Sequence, residues 1–358
     1  MFCKKDIKSL YLTIKSGYVS TAGKNTFLFE KYLSKFTKSK YVVATCNGTS
    51  AYHLALKTLG VKSGYEFFVP ACSYISIVNG LKYCQAEPHF VDIELENFGI
   101  CPIKLEKHIK KKCIFKNGKL YNIKNNKRIF GITIFHNLGF PSKLKELIKI
   151  SKKYNLKIIE DAAEALGSKY NNRHVGTFGD IGILSFNGNK IITTGGGGAL
   201  LTNNRKYYNY ANHISKTARK KHSFLLDYDD IGYNYRMPDL NAALGISQIK
   251  KINDILIKKK KITLKYKKIF DNDKNFKFIF NSYSNKPNYW LNSVMLKKPS
   301  KKKLFLILKF LNQRGIPCRS IWKNINEMSI YKKNSKADLF NTKILCSSMF
   351  LLPSGPNI

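Results

Sequence analysis

The sequence predicts an α/β fold with a mainly parallel central sheet, and three observations carry that reading. Short apolar runs recur through the first half of the chain, stretches with helical spacing separate many of them, and polar residues gather where the runs end.

The runs are "YVVATC" (41–46), "EFFVP" (66–70), "PHFVDI" (88–93), "IFGITIF" (129–135) and "LKIIED" (156–161). Continuous apolar runs of this length fit strands covered on both faces. Between them, "TSAYHLALKTLG" (49–60) and "KLKELIKISKKYN" (143–155) repeat their apolar residues at helical spacing. Strands that alternate with helices make a parallel sheet, and sites in such sheets form at the carboxyl ends of the strands. After Gly198 the pattern changes to longer helical segments with lysine-rich faces, notably 239–270. A strand-like "NYWLNSVML" follows, then a helix "SKKKLFLILKFLNQRG" whose final Gly315 suits a C-terminal cap. Residues 1–245 are therefore expected to form a large α/β domain and 246–358 a smaller α+β domain, joined by a helical connection. There is no internal repeat.

The chain has 358 residues, 44% of them hydrophobic, enough to bury a substantial core. Its net charge of +41 raises the question of a polyanionic partner. Arginine is scarce, however, and phosphate and base-edge recognition draws on its planar fork. The lysines are scattered in short runs, such as Lys107–Lys112 and 258–261, which read as solvated faces, and no specific nucleic-acid partner is expected. Eight cysteines lack a C-x-x-C pair and any zinc spacing, so no metal is expected and a reducing compartment fits. No apolar run is long enough to span a bilayer and no signal-type h-region opens the chain; the expected location is the cytoplasm.

Four short constellations carry chemistry. In "CNGTSAYHLAL" a strand passes through Asn-Gly-Thr-Ser into a helix, which offers free backbone N–H groups to an anion, with Gly48 allowing close approach; a plain helix cap on Thr49 or Ser50 would look the same. In "IIEDAAEALGS" Asp161 stands at the carboxyl edge of the sheet, where a buried carboxylate needs a cationic partner such as a protonated pyridine nitrogen, or else caps the next helix. In "VPACSYIS" Tyr74 could stack on a planar ring or be ordinary core. In "SFNGNKIITTGGGGAL" Lys190 follows the strand ending at Ser185 and precedes four glycines; a mobile, uncharged amine could form a Schiff base there, and a surface lysine before a turn is the alternative. Together the four supply what pyridoxal phosphate requires: a phosphate anchor, a stacking face, a partner for the ring nitrogen and an amine for the aldehyde.

On these motifs the chain resembles the DegT/DnrJ/EryC1/StrS family of sugar aminotransferases, from "SGYVSTAGKNTFLFEKY" (16–32) to "LLPSG" (351–355). "GTFGDIGILSFNGNKIITTGGGG" and "DIGYNYRMPDLNAALG" are most similar to the branch that aminates C4 of nucleotide-linked 4-keto-6-deoxy hexosamines, on routes to bacillosamine- or legionaminic-type sugars. The resemblance implies fold type I, with pyridoxal 5'-phosphate held covalently by Lys190 and its ring nitrogen paired with Asp161. It places Tyr74 on the ring face, Gly48, Thr49 and Ser185 at the phosphate, Asn187 beside them, and Glu164 near the ring hydroxyl where many relatives have glutamine. Asn234 of "GYNYRM" would reach the phosphate in the adjacent subunit, which implies a homodimer with composite sites. His136 of "FHNLG" matches a recurrent histidine, and Arg319 is a candidate substrate contact.

The implied reaction moves an amino group from L-glutamate to the 4-keto carbon of a nucleotide sugar, first of all a UDP-linked N-acetylhexosamine, for cell-surface glycan synthesis. A related dehydratase branch has histidine in place of the lysine, so Lys190 favours transamination. Three departures stand out: relatives carry a further segment before the position of Met1, often have histidine at Tyr228, and commonly have proline at Ser320. The first would alter the substrate mouth or mark a misassigned start, and it motivates an alternative, a catalytically silent or sensory protein that keeps the fold.

Overall fold

The computed structural model describes residues 2–220, 224–280 and 285–356; Met1, on which the expectation about the start of the chain falls, lies outside them. The five apolar runs become β1 (Tyr41–Thr45), β2 (Glu66–Pro70), β3 (Glu87–Val91), β6 (Arg128–Phe135) and β7 (Lys157–Asp161). They are joined in one sheet by β10 (Ile181–Ser185), β11 (Gly198–Thr202) and the hairpin strands β4 (Cys113–Lys116) and β5 (Lys119–Asn122). The order along the sheet is β1-β11-β10-β7-β6-β2-β3, with the hairpin attached to β6 through β5. Strands β10, β7, β6, β2 and β3 run parallel to one another, while β11 lies antiparallel to both β1 and β10. Phe135, Asp161 and Ile183 stand in register across β6, β7 and β10, so all three strands end at one edge.

Side chains alternate across each strand, and successive residues enter opposite cores. Val43, Phe67, Ile159, Ile183 and Leu200 pack with α3 (Gly48–Thr58), α4 (Ser76–Tyr83) and α7 (Arg205–Ile214). Their neighbours Val42, Phe68, Ile158, Leu184 and Leu201 join the core that holds α2 (Asn25–Thr37), α5 (Pro102–Lys112), α6 (Leu144–Lys153) and α8 (Asp239–Ile249). Helices on both faces explain why these strands read as unbroken apolar runs. A two-stranded hairpin, β8 (Lys169–Tyr170) and β9 (Arg173–His174), sits outside the sheet.

The helical stretch over 239–270 forms two helices, α8 and α9 (Ile252–Phe270), with Lys251 in a non-helical conformation between them. The break follows from packing. Gln248 and Lys251 both bind the buried carboxylate of Asp6, on α1 (Lys4–Lys15), at 3.2 and 2.5 Å, and α9 then buries Ile255, Lys259 and Ile262. No proline or glycine marks that turn. The division expected at residue 245 thus falls inside α8.

Beyond α9, β12 (Phe276–Phe278), β13 (Ser293–Leu296), β14 (Arg319–Ser320) and β15 (Met349–Leu351) form an antiparallel sheet in the order β12-β13-β15-β14, with α10 (Lys301–Gln313) and α11 (Phe340–Ser348) beside it. Gly315 adopts φ +74 just past α10, the left-handed cap its position suggested. Only the second half of "NYWLNSVML" is strand. Asn288 to Asn292 are held instead by side-chain bonds, with Tyr289 at φ +52. The C-terminal part also returns to the large sheet: the N–H of Phe90 donates to Ser335 O and that of Ala337 to Phe90 O, both at 2.8 Å, so this segment covers the outer edge of β3.

Candidate active site

The first functional turn lies between β1 and α3. Asn47, not Thr49 or Ser50, is the cap: its Oδ1 accepts the N–H of Ser50 at 2.7 Å. Gly48 and Thr49 therefore occupy the first helical turn, whose N–H groups have no partner within the helix. A Cβ on Gly48 would lie 3.0 Å from Cβ of Ser185, which brings the end of β10 against the start of α3.

Two glycines of the run answer a need for space as well. A Cβ on Gly198 would fall 2.5 Å from the carbonyl carbon of Asn47, and one on Gly197 would meet Thr194 Oγ1 at 2.2 Å. Gly198 lets β11 pass tightly beside the β1–α3 turn and Gly197 lets it pass Thr194 and Met237, so Gly198 helps to position the anion cradle. Gly198→Ala is expected to push Asn47 and Gly48 out of place, to lower stability by about 1–3 kcal/mol and to weaken retention of the cofactor; thermal unfolding with and without added pyridoxal phosphate measures both.

Asp161 ends β7, is buried, and accepts the N–H of Ala163 at Oδ1, 3.0 Å away. No helix follows it, so it is not a helix cap. Burial raises its pKa, opposed by that N–H and by the charge of Lys190. Its neighbour Glu160 is taken up structurally: it accepts the N–H groups of Gly176, Phe178 and Gly179 and pairs with His136 Nε2 at 3.0 Å. His136 Nδ1 accepts the N–H of Ser142 at 3.1 Å, which leaves the Nε2 proton for Glu160. His136 is thus a support beneath the site.

Lys190 reaches into a cavity of about 220 Å3 that Gly48, Thr49, Tyr74, Asp161, Ser185 and Asn187 also line. Its Nζ lies 3.7 Å from Glu164 Oε1 and 4.1 Å from the centre of the Trp290 ring. Burial lowers the pKa of this amine, while the charges of Glu164 and Asp161 work against the shift. Glu164 Oε2 accepts the N–H of Leu138 at 2.8 Å, whereas Oε1 is buried without a hydrogen-bond partner among the described residues. Burial pushes Glu164 up to about 7. Tyr74 is 49% exposed on the cavity wall, edge-on to Trp322 at 5.4 Å.

Unfolded, Glu164 would lose its proton near 4.5; folded, it keeps it to about 7. The folded chain binds more protons over that window, so this group's contribution falls as pH rises from about 4.5 to about 7, by on the order of 3 kcal/mol. Glu164→Gln should remove that slope from the cofactor-free protein, as read by denaturant unfolding of both forms across the window.

One expected residue lies apart from the cavity in the single chain: Asn234 is exposed and bridges to the backbone of Lys216. Tyr228, where relatives often have histidine, is exposed beside Arg219. Arg319 stands on the edge strand β14 with its guanidinium 5.8 Å from the Trp322 ring, and its charge reaches Lys190. The main omission of sequence reading is the segment 288–290. Asn288 Nδ2 donates to the carbonyls of Glu164 and Leu166, both at 2.9 Å, and Trp290 Nε1 donates to Asn189 O at 2.7 Å. One short segment thus ties the Asp161–Glu164 loop to the Lys190 loop. Behind it, buried Lys259 donates to the carbonyls of Trp290 and Ser354 at 2.6 and 2.5 Å.

The residues present fit pyridoxal phosphate. The buried Glu164 Oε1, the buried Asp161 carboxylate and an amine whose pKa burial lowers line one cavity with a glycine-opened helix start, which suits a group that is cationic at one end and anionic at the other. The sheet order and this site define a pyridoxal-phosphate-dependent transferase of fold type I. A solved structure of the Helicobacter pylori aminotransferase PseC, involved in the biosynthesis of pseudoaminic acid, aligns with a TM-score of 0.90 at 26% identity over 100% of this chain and 92% of that one. The chain belongs to the DegT/DnrJ/EryC1/StrS aminotransferase family, whose profile matches residues 3–358, and it is a sugar aminotransferase. It is 32% identical to the GDP-perosamine synthase of Escherichia coli O157:H7, over 89% of this chain and 82% of the relative. It is 31% identical to the UDP-4-amino-4,6-dideoxy-N-acetyl-beta-L-altrosamine transaminase of Campylobacter jejuni strain 81-176, over 92% and 84%. Among the described residues no helix is long and apolar enough to cross a membrane.

Proposed function

We propose that this chain transfers the amino group of L-glutamate to the 4-keto carbon of a nucleotide-linked 4-keto-6-deoxy sugar, with a UDP-linked N-acetylhexosamine as the preferred substrate, in the cytoplasm and for cell-surface glycan synthesis. The observation that carries it is the position of Lys190 Nζ between Glu164 Oε1 and the Trp290 face, in the cavity that Asp161 also lines. Relatives named for GDP-linked and UDP-linked amino sugars support the nucleotide-sugar class.

Pyridoxal phosphate supplies a reactive aldehyde and a ring that accepts electrons. Gly48, Thr49 and Ser185 would hold its phosphate, Tyr74 its face, and Asp161 the proton on its ring nitrogen. Lys190 Nζ, biased toward its uncharged form, would take the proton from the donor Cα and pass it to the carbon that carried the aldehyde, acting as base and then acid. When the amine is charged, Glu164 Oε1 and the Trp290 ring receive it. Asn234 of a second copy would complete the phosphate contacts, which makes the active form a homodimer with composite sites. A silent or sensory protein would have no need of the buried acid and the amine together. Incubation with glutamate and a panel of UDP-, GDP- and dTDP-linked 4-keto sugars, followed by mass analysis, should yield an amino sugar from the UDP-linked N-acetylhexosamine; conversion of none of them would overturn the reading.

A further inference from the structure

Away from the Lys190 cavity, α5 and the segment 332–336 face each other across two adjoining cavities of about 400 and 760 Å3, which share His108, Lys112 and Lys336 as walls. Neither cavity shares a lining residue with the one that holds Lys190. Lys104, Lys107 and Lys111 recur at helical spacing on α5, and Lys332 and Lys333 approach from the other wall. The concentration of charge is a product of folding, because the two walls are more than 200 residues apart in sequence.

These lysines are poorly compensated. Lys104 pairs with Asp92 at 2.5 Å, and among the described residues Asp338 is the one carboxylate that lines either cavity. Among the described residues, Lys107, Lys111, Lys112, Lys332, Lys333 and Lys336 have no carboxylate within 4.0 Å. Elsewhere on the surface, Lys143, Lys153 and Lys157 all have one. Crowding like charges without a counter-ion costs free energy that a bound anion relieves.

A buried polar chain ends at the same place. Glu66 accepts from Asn122, Asn125 and Ser335 and binds His89 Nδ1 at 2.7 Å. His89 Nε2 lies 2.8 Å from His108 Nε2, so the two rings share one proton there. The chain Glu66–His89–His108 fixes the orientation of His108, which lines both cavities, and it takes no part in the chemistry at Lys190.

We propose that this divided cavity is a second binding site, for a compact phosphate-rich anion of the diphosphate class, set between α5 and residues 332–336. Its size admits either a free diphosphate or the diphosphate of a nucleotide. The test is calorimetric titration of the cofactor-loaded full chain with inorganic diphosphate at about 0.15 M salt, where exposed charges are largely screened. One saturable site is expected, weakened at least tenfold in Lys112→Gln and in Lys336→Gln and unchanged in the exposed α10 control pair Lys302→Gln and Lys309→Gln. A parallel titration with uridine diphosphate separates the sources: tighter binding that is equally sensitive to Lys112 assigns the site to a nucleotide, and equal binding assigns it to the diphosphate group alone. Absence of a saturable phase, equal loss in the control pair, or binding that survives both cavity substitutions overturns the proposal, the last by placing the anion elsewhere.

Discussion

Lys190→Ala is expected to bind pyridoxal phosphate without a covalent link and to lose at least about three orders of magnitude in kcat, because one amine both fastens the cofactor and carries the proton. Absorbance gives the first readout: the band of the lysine-bound cofactor should be absent from the variant. Borohydride reduction and digestion give the second, placing the cofactor mass on the peptide that contains Lys190 in the parent protein and on none in the variant. The fold should persist, since Lys190 makes no hydrogen bond that holds an element together; its main-chain N–H to Asn187 O at 3.0 Å is unaffected by the substitution. A variant that keeps both band and rate would remove the basis of the proposed chemistry.

Asp161→Asn should lower kcat by roughly two to four orders of magnitude while leaving the protein at least as stable. The carboxylate sits where burial opposes its charge, and its Oδ1 accepts the Ala163 N–H, a bond that an amide oxygen can also accept. Removing the charge lifts a desolvation penalty in the cofactor-free protein and takes away the partner of the ring nitrogen in the loaded one. Opposite movements of unfolding midpoint and rate would mark Asp161 as a group kept for chemistry. A parallel fall in both would make it structural.

Much of this site is legible in the sequence because strand ends are local signals. The runs that finish at Thr45, Asp161 and Ser185 could be placed on one edge from composition and alternation alone, and the residues that follow them do meet in one cavity. What escaped depends on contacts between distant parts of the chain. Trp290 reads as one more strand residue until its indole N–H is seen on Asn189, 101 positions away, and Lys259 reads as part of a solvated lysine run although it is buried. The part played by Gly197 and Gly198 is hidden for a similar reason: a glycine run announces freedom, and the tight approach of Asn47 and Thr194 shows that these two positions also need space. The break at Lys251 has no punctuation in sequence because its cause is the carboxylate of Asp6, some 245 residues earlier.

The strip from Ser335 to Ala337 along β3 has a bearing on how the polypeptide is made. A nascent chain emerging from the ribosome must carry the outer rim of its main sheet unzipped until residues 335–337 are released, with Glu66 and Asn122 still awaiting Ser335. Premature termination shortly before that strip would thus leave a raw strand margin open to pairing with other chains, a template for clumping that the finished molecule conceals.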